Sequence, residues 1–268
     1  MSSDNLLQPI IKHGWSSGFW NMLNKENSLW WGTRKWWVQC LLWLGVYNGL
    51  IGFILWVIPA LENNSEIPNG LVLLQVFIML QGVFSTVAVM VLAQGLIINE
   101  KKFGTAAWVM SSPVSRSAFI LSKMVGNGWG IFIILVVIPN LVAYLQVSLR
   151  IHSFPNALPF IAGIALVCLH LFFYFTLALL LGTIFNSTIP VMGISIGLLI
   201  GFNLFSQLLA RSIPWLVRIF PQEILNMSSM VGAGQSLPRT WPITVIVITG
   251  LSLLFILLAI LRFRREEF

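Results

Sequence analysis

Charged residues are scarce in this sequence: Asp, Glu, Lys and Arg make up only 9% of its 268 residues, whereas 57% are hydrophobic. A chain this apolar cannot bury its apolar surface inside a water-soluble globule of the same length. The scarcity of charge therefore excludes a soluble protein and predicts one that is integral to a membrane.

Acidic residues are scarcer still, because only eight are present and none lies in the middle of an apolar run. Proton-coupled carriers generally need ionisable side chains at membrane depth. His170 is the single candidate, and a lone histidine at that depth more often hydrogen-bonds helices together than relays protons. The sequence thus disfavours a secondary transporter or channel, which stays open as an alternative.

Catalytic and ligand-binding motifs are also missing. The sequence has no G-x-x-x-x-G-K-[ST] phosphate loop, and no paired acids, His-Glu cluster or Ser-His pair suited to an intramembrane hydrolase. Cys40 and Cys168 both fall inside apolar runs and belong to no ligand-spaced cluster. We therefore predict no catalytic residue, no metal and no cofactor bound by this chain.

Long apolar runs are what the sequence does contain. A helix needs about 20 mostly apolar residues to cross a hydrocarbon core, and six runs qualify: 38–61, 71–98, 119–146, 157–185, 189–210 and 242–261. We predict an all-α integral membrane protein with six transmembrane helices within 38–262. Residues 1–37 are predicted to form a cytoplasmic tail and an amphipathic interfacial helix, and 263–268 a basic cytoplasmic tail.

The distribution of lysine and arginine predicts the orientation. Most of the 15 such residues fall on the side of the N-terminus, which places both termini in the cytoplasm by the positive-inside rule. The net charge of +7 then indicates contact with anionic membrane lipids. A nucleic-acid partner is not expected, because no soluble basic domain is present.

One charged segment, NEKKFGTAAWVMSSPVSRSAFILSK at 99–123, separates the second run from the third. Charge is costly inside a membrane, so this segment is predicted to lie at the membrane surface. We expect a short helix over 99–111 that carries Trp108, followed by a helix capped by Ser112 with Pro113 at its first position. An ordinary cytoplasmic loop is the alternative.

The residues Glu100, Gly104, Thr105, Pro113, Ser115, Arg116 and Lys123 resemble the signature of type-2 permeases of ATP-binding-cassette (ABC) transporters. In that family a cytoplasmic coupling helix between spans two and three seats in a groove of the ATPase subunit. The resemblance assigns this role to the region 99–118 and implies the following coupling residues: Glu100, Lys101, Gly104, Thr105, Trp108, Val109, Pro113, Ser115, Arg116 and Lys123. Arg116 and Lys123 are expected to be exposed charges of minor importance. Ala106 and Ala107 depart from the family, in which an acidic residue commonly follows Gly-Thr.

The resemblance implies the permease subunit of an exporter in a bacterial cytoplasmic membrane. A separate ABC ATPase would hold ATP and Mg²⁺, and a second permease copy or a close paralogue would complete the transporter. Because the polar residues within the spans are uncharged, we expect a hydrophobic or amphipathic cargo such as a drug, a peptide or a lipid-like molecule. A membrane scaffold or embedded enzyme without ATP coupling is a further alternative.

Three other features have a predicted role. The region 211–241 contains prolines and a glycine turn, which predict broken, partly re-entrant helices that act either as an outer gate or as an ordered loop. Polar residues within the spans either line a substrate path or hold helices together, and those considered are Gln75, Gln81, Asn203 and Gln207. Gly193, Gly197 and Gly201 share one helix face, which predicts a close contact either with a second copy or within one protomer.

Overall fold

The computed structural model describes residues 14, 16–62, 69–112 and 114–266, with the backbone alone for Glu62. Every regular element within these residues is a helix, and six helices are long and apolar enough to cross a membrane. The predicted fold class, an all-α membrane protein with six spans, is confirmed. The predictions for Pro113, for residues 1–13 and for residues 267–268 lie outside the described residues.

The described part of the chain folds into six spans and four shorter helices. In chain order the helices are α1 (Phe19–Trp31), α2 (Lys35–Leu61), α3 (Gly70–Lys102), α4 (Thr105–Met110), α5 (Arg116–Ile151), α6 (Ala157–Ile184), α7 (Thr188–Leu209), α8 (Pro214–Val217), α9 (Pro221–Gly232) and α10 (Trp241–Arg264). The helices α1, α4, α8 and α9 are shorter than the roughly 20 residues that a span needs. The other six are the spans.

Several spans extend beyond their apolar runs, and two of them do so beside the 99–118 segment. α3 continues to Lys102 although its run ends at 98, and α5 begins at Arg116 although its run starts at 119. The added turns carry charges that pair with charged side chains or backbone carbonyls of neighbouring helices. Because this pairing lowers the cost of desolvating them, hydropathy alone predicts both helices too short at this segment.

The single surface helix predicted over 99–111 is wrong, because the chain breaks there. α3 continues into this segment, and α4 starts only after Gly104, whose φ of 69° is left-handed. Glycine adopts that conformation without the steric cost that a Cβ brings. The predicted cap at Ser112 is also wrong: Ser115 caps α5, and its hydroxyl accepts a hydrogen bond from the Ala118 amide at 3.1 Å.

α6 forms the centre of the bundle. It is buried along most of its length and packs against α3, α9 and α10. The span α7, in contrast, buries only Val191 and Ser195 within the described chain and lies at its periphery.

The position of His170 shows how deeply the chain between α7 and α10 returns into the bundle. This buried residue lies midway along α6, where its Nδ1 donates to Pro221 O at 2.9 Å and its Nε2 lies 3.0 Å from Thr86 Oγ1. Since Pro221 opens α9, that helix starts near mid-depth. A Cβ on Gly163 would lie 2.7 Å from Ser228 O, which places the later part of α9 beside the start of α6. The chain between α7 and α10 therefore consists of two short helices, the second of which packs into the bundle, and His170 links α3, α6 and α9.

Candidate functional site

Lys123 lies at the centre of a group of paired charges between α1, α3 and α5, of which all but Lys25 are largely buried. Its side chain is only 3% exposed, and its Nζ lies 2.8 Å from Glu26 Oε1 and 2.9 Å from Glu100 Oε1. The Nζ of Lys25 lies 3.4 Å from the same oxygen of Glu100. These four residues, Lys25, Glu26, Glu100 and Lys123, are called the charge cluster below.

Two polar neighbours occupy the remaining carboxylate oxygens of the charge cluster. Asn127 Nδ2, one turn after Lys123, donates to Glu26 Oε2 at 2.8 Å. The Thr105 hydroxyl, at the start of α4, hydrogen-bonds Glu100 Oε2 and lies 3.1 Å from the Glu100 backbone oxygen. The charge cluster therefore joins α4 as well as α1, α3 and α5.

The pairing within the charge cluster explains how charges can lie at this depth. Removing an ion from water costs several kcal/mol even after relaxation, and only close partners with further hydrogen bonds offset that cost. Two lysines and two glutamates neutralise one another here, and each carboxylate oxygen has a partner. Because the loss of one partner would leave an unpaired buried charge, the arrangement holds its four helices in one geometry.

α1 reaches the charge cluster because glycines on α5 allow a close approach. The buried face of α1 consists of Met22, Glu26 and Trp30, spaced four residues apart. A Cβ at Gly126 would lie 2.7 Å from Glu26 Cβ, and one at Gly130 would collide with the Trp30 indole. α1 therefore packs along the first turns of α5, and Glu26 lies at the centre of its buried face.

A second group of contacts, called the second anchor below, holds the other flank of the 99–118 segment. Lys101 Nζ forms an ion pair with Glu266 at 2.6 Å and donates to a backbone carbonyl at the end of α6 at 3.0 Å. Arg116 donates to two carbonyls at the end of α10, Phe263 O at 3.4 Å and Arg264 O. The segment is thus tied to α6 and α10 as well as to the charge cluster.

α4 has a buried side and an exposed side. Ala106 and Val109 pack inward, whereas Trp108 is 76% exposed and Phe103, just before the Gly104 break, is 80% exposed. Two large apolar side chains thus protrude from a segment that paired charges hold on both flanks. Exposed apolar surface of this kind can contact either the membrane or another protein.

The chain belongs to the DUF2705 family of proteins of unknown function. The match covers residues 37–268, which include Glu100, Lys123 and the whole 99–118 segment, whereas Lys25 and Glu26 precede it. A search of curated proteins finds no match to the chain.

The described residues predicted for coupling fall into three groups in this DUF2705 chain. Glu100, Thr105 and Lys123 belong to the charge cluster and its hydrogen bonds, and Lys101 and Arg116 form the second anchor. The third group lies on α4 or in the backbone beside it, and its members are Gly104, Trp108, Val109 and Ser115. The expectation that Lys123 is exposed is wrong, because two carboxylates hold it inside the bundle. Arg116 is half-buried rather than exposed.

Sequence reasoning missed Glu26 and Phe103. Glu26 offered only one signal, its place between Met22 and Trp30 at helical spacing.

The four polar residues considered for a substrate path lie on two spans, Gln75 and Gln81 on α3 and Asn203 and Gln207 on α7. Gln81 is fully buried: it donates to Leu135 O at 2.8 Å and accepts from Asn140 Nδ2 at 2.8 Å. Leu135 lies in a π-helical turn of α5, in which the altered hydrogen bonding frees carbonyls for such contacts. Gln207 bonds Asn203 along α7 at 2.8 Å, and Gln75 is half-buried on α3. Gln81 therefore holds helices together.

The glycine face of α7 is uncovered. Among the described residues, no atom outside the helix's own backbone lies within 4 Å of a Cβ built at Gly193 or Gly197, and Gly201 meets only Phe205 of its own helix. The alternative that this face packs within one protomer is wrong for the described chain.

No group of three His, Cys, Asp or Glu among the described residues is arranged to hold a metal ion.

Proposed function

We propose that this protein is the permease subunit of an ATP-driven ABC exporter in a bacterial cytoplasmic membrane. The observation that carries the proposal is the exposed aromatic pair, Trp108 and Phe103, on a segment held by paired charges on both flanks. An element that passes motion from a soluble motor to a membrane bundle needs a contact surface and resistance to deformation. Both properties coincide in the 99–118 segment.

The proposed partner is a soluble ABC ATPase that receives α4 in a groove. Buried aromatic side chains carry much of the binding energy at protein interfaces, so Trp108 is the principal anchor and Phe103 the second. ATP and Mg²⁺ bind to the ATPase, since this chain has no phosphate loop. The partner lies in the cytoplasm with both termini of this chain, in agreement with the positive-inside rule.

A second permease copy, or a close paralogue, covers the uncovered glycine face of α7 in this proposal. Small residues four apart allow two helix backbones to approach closely, which is how many membrane helices associate. The cargo is hydrophobic or amphipathic, a drug, a peptide or a lipid-like molecule. Support comes from Gln81 and Asn140, which are buried within the spans: both side chains are uncharged and they bond each other, so neither offers a charge to a small ion.

Purification of the full chain from its own membranes after mild cross-linking tests the proposal. We expect a soluble ATPase with a phosphate loop to co-elute, and its hydrolysis in proteoliposomes to rise with amphipathic compounds rather than with simple ions. A secondary transporter, a channel or a scaffold would be recovered without such a subunit, and that result would overturn the proposal.

A further inference from the structure

A cavity of about 620 Å³ lies between α1, the start of α2 and the last turns of α3. This volume falls in the range of about 300–1,000 Å³ that is typical of small-molecule sites. The cavity adjoins the charge cluster and lies beside the tryptophan-rich connection between α1 and α2, which is typical of a membrane surface. It is therefore at the level of lipid headgroups.

The polar wall of the cavity favours an anion. Lys25 and Lys35 line it, together with the amides of Gln94 and Asn99. Within the described residues, no carboxylate lies within 4 Å of the Lys35 ammonium, and Lys25 has only its long contact of 3.4 Å with Glu100.

Two carboxylates, those of Glu26 and Glu100, also belong to the wall, but their oxygens are already occupied. Lys123, Asn127 and Thr105 bond them from the protein side. Lys25, Lys35 and Lys123 thus carry three positive charges, whereas the two carboxylates carry two negative ones. The unpaired positive charge is that of Lys35, which lines the cavity.

The cavity also has an apolar wall, which includes Leu29, Trp30 and Val91. Leu29 is 50% exposed and Val91 is 47% exposed, and Val91 lies on the outer surface of a span. A ligand that fits must therefore combine a negative headgroup with an apolar part that extends into the bilayer.

We propose that this cavity binds the phosphate-bearing headgroup of an anionic phospholipid from the leaflet on the side of the 99–118 segment. Lys35 and Lys25 bind the phosphate, Gln94 and Asn99 donate to its oxygens, and the first part of the acyl chains lies against Leu29 and Val91. The proposal does not depend on ATP coupling, because it concerns only groups of this chain. It gives Lys35 the partner that the described protein lacks.

Lipid titration of the purified full chain in detergent, followed by native mass spectrometry, tests the proposal. We expect dioleoyl-phosphatidylglycerol to bind more tightly than dioleoyl-phosphatidylcholine. Lys35→Gln should weaken the binding of phosphatidylglycerol about fivefold, the effect of one lysine near an anionic lipid surface. Arg34→Gln is the matched control: it removes the adjacent charge, which is exposed and does not line the cavity, and should change binding by less than about twofold.

A second pair of variants tests the apolar wall. Val91→Trp should fill the bilayer side of the cavity and displace the lipid, whereas Val87→Trp, one turn away on the same exposed surface, should not. Inorganic phosphate serves as the third probe, and at millimolar concentration it should not compete. Equal effects of Lys35→Gln and Arg34→Gln would overturn the site, and competition by free phosphate would overturn its assignment to a lipid.

Discussion

Lys123 and Glu26 are 97 residues apart in the sequence, yet their charged atoms lie 2.8 Å apart inside the bundle. Both side chains are almost completely buried. Through this contact α1 becomes part of the same unit as α5, and through Glu100 that unit reaches α3 and α4. The stability of the segment that carries Trp108 therefore depends on an ion pair with a helix that lies far away in sequence.

The first prediction concerns the loss of that lysine. Lys123→Met should lower stability by about 3–5 kcal/mol, because two buried carboxylates lose their shared cation. Thermal unfolding in matched detergent measures the change. Lys102→Met removes an exposed lysine nearby and should change stability by no more than about 0.5 kcal/mol. Equal melting temperatures for the two variants would contradict the cluster.

The same contact can be isolated by a double-mutant cycle. Glu26→Gln and Lys123→Met should show an interaction energy of about 0.5–3 kcal/mol, because the second change costs less once its partner is gone. Additive effects would mean that Glu26 and Lys123 do not interact directly.

The second prediction concerns the close approach of α1 to α5. Gly130→Val should push the Trp30 indole away and favour the detachment of α1 by about 1–3 kcal/mol, the usual cost of overpacking. Trypsin cleavage after Lys25 should accelerate accordingly. Gly250→Val is the control, because no side chain of the described residues lies within 4 Å of a Cβ at that position of α10. Unchanged cleavage in Gly130→Val would mean that α1 does not rest on α5.

The sequence was sufficient to predict the six spans, because long apolar runs are a local property that hydropathy reports directly. The charge cluster could not be predicted in the same way. In the sequence, Glu26 interrupts an apolar helix face and Lys123 lies in a segment predicted at the membrane surface. Neither local pattern contains information about the distant residue with which the charge pairs. The break at Gly104 was missed for a related reason: glycine permits a left-handed conformation without requiring it.

The third prediction separates docking from folding at Trp108. Trp108→Ala should leave the melting temperature unchanged, because the side chain is 76% exposed. It should nevertheless weaken association with the proposed ATPase by about 2 kcal/mol, or roughly 30-fold, as expected for an aromatic interface anchor. Trp20→Ala is the matched control, since Trp20 on α1 is 71% exposed. Equal retention of the ATPase by both variants would remove α4 from the interface.

The fourth prediction concerns the turn before α4. Gly104→Trp should abolish productive association, since a left-handed non-glycine residue costs about 1–2 kcal/mol and the added indole occupies the docking surface. The sequence predicts that Gly104 is pressed against either the ATPase surface or a neighbouring helix. The second alternative is wrong for the described chain, because none of its atoms lies within 4 Å of a Cβ built at Gly104. Gly104→Asn, which tolerates this conformation better, should restore most of the association measured by copurification.

The fifth prediction concerns the uncovered face of α7. In a chain whose native Cys40 and Cys168 are replaced by serine, Gly197→Cys should cross-link two copies under mild oxidation in membranes. The reason is that this face lacks contacts within the described chain and small residues four apart allow two backbones to meet. Leu253→Cys is the control, because Leu253 is 57% exposed on a different span, α10, and offers the oxidant a comparable thiol. A scan over residues 194–204 should give cross-links with helical periodicity centred on Gly197. If none of these positions links two copies while the protein remains folded, α7 does not form the contact between permease copies.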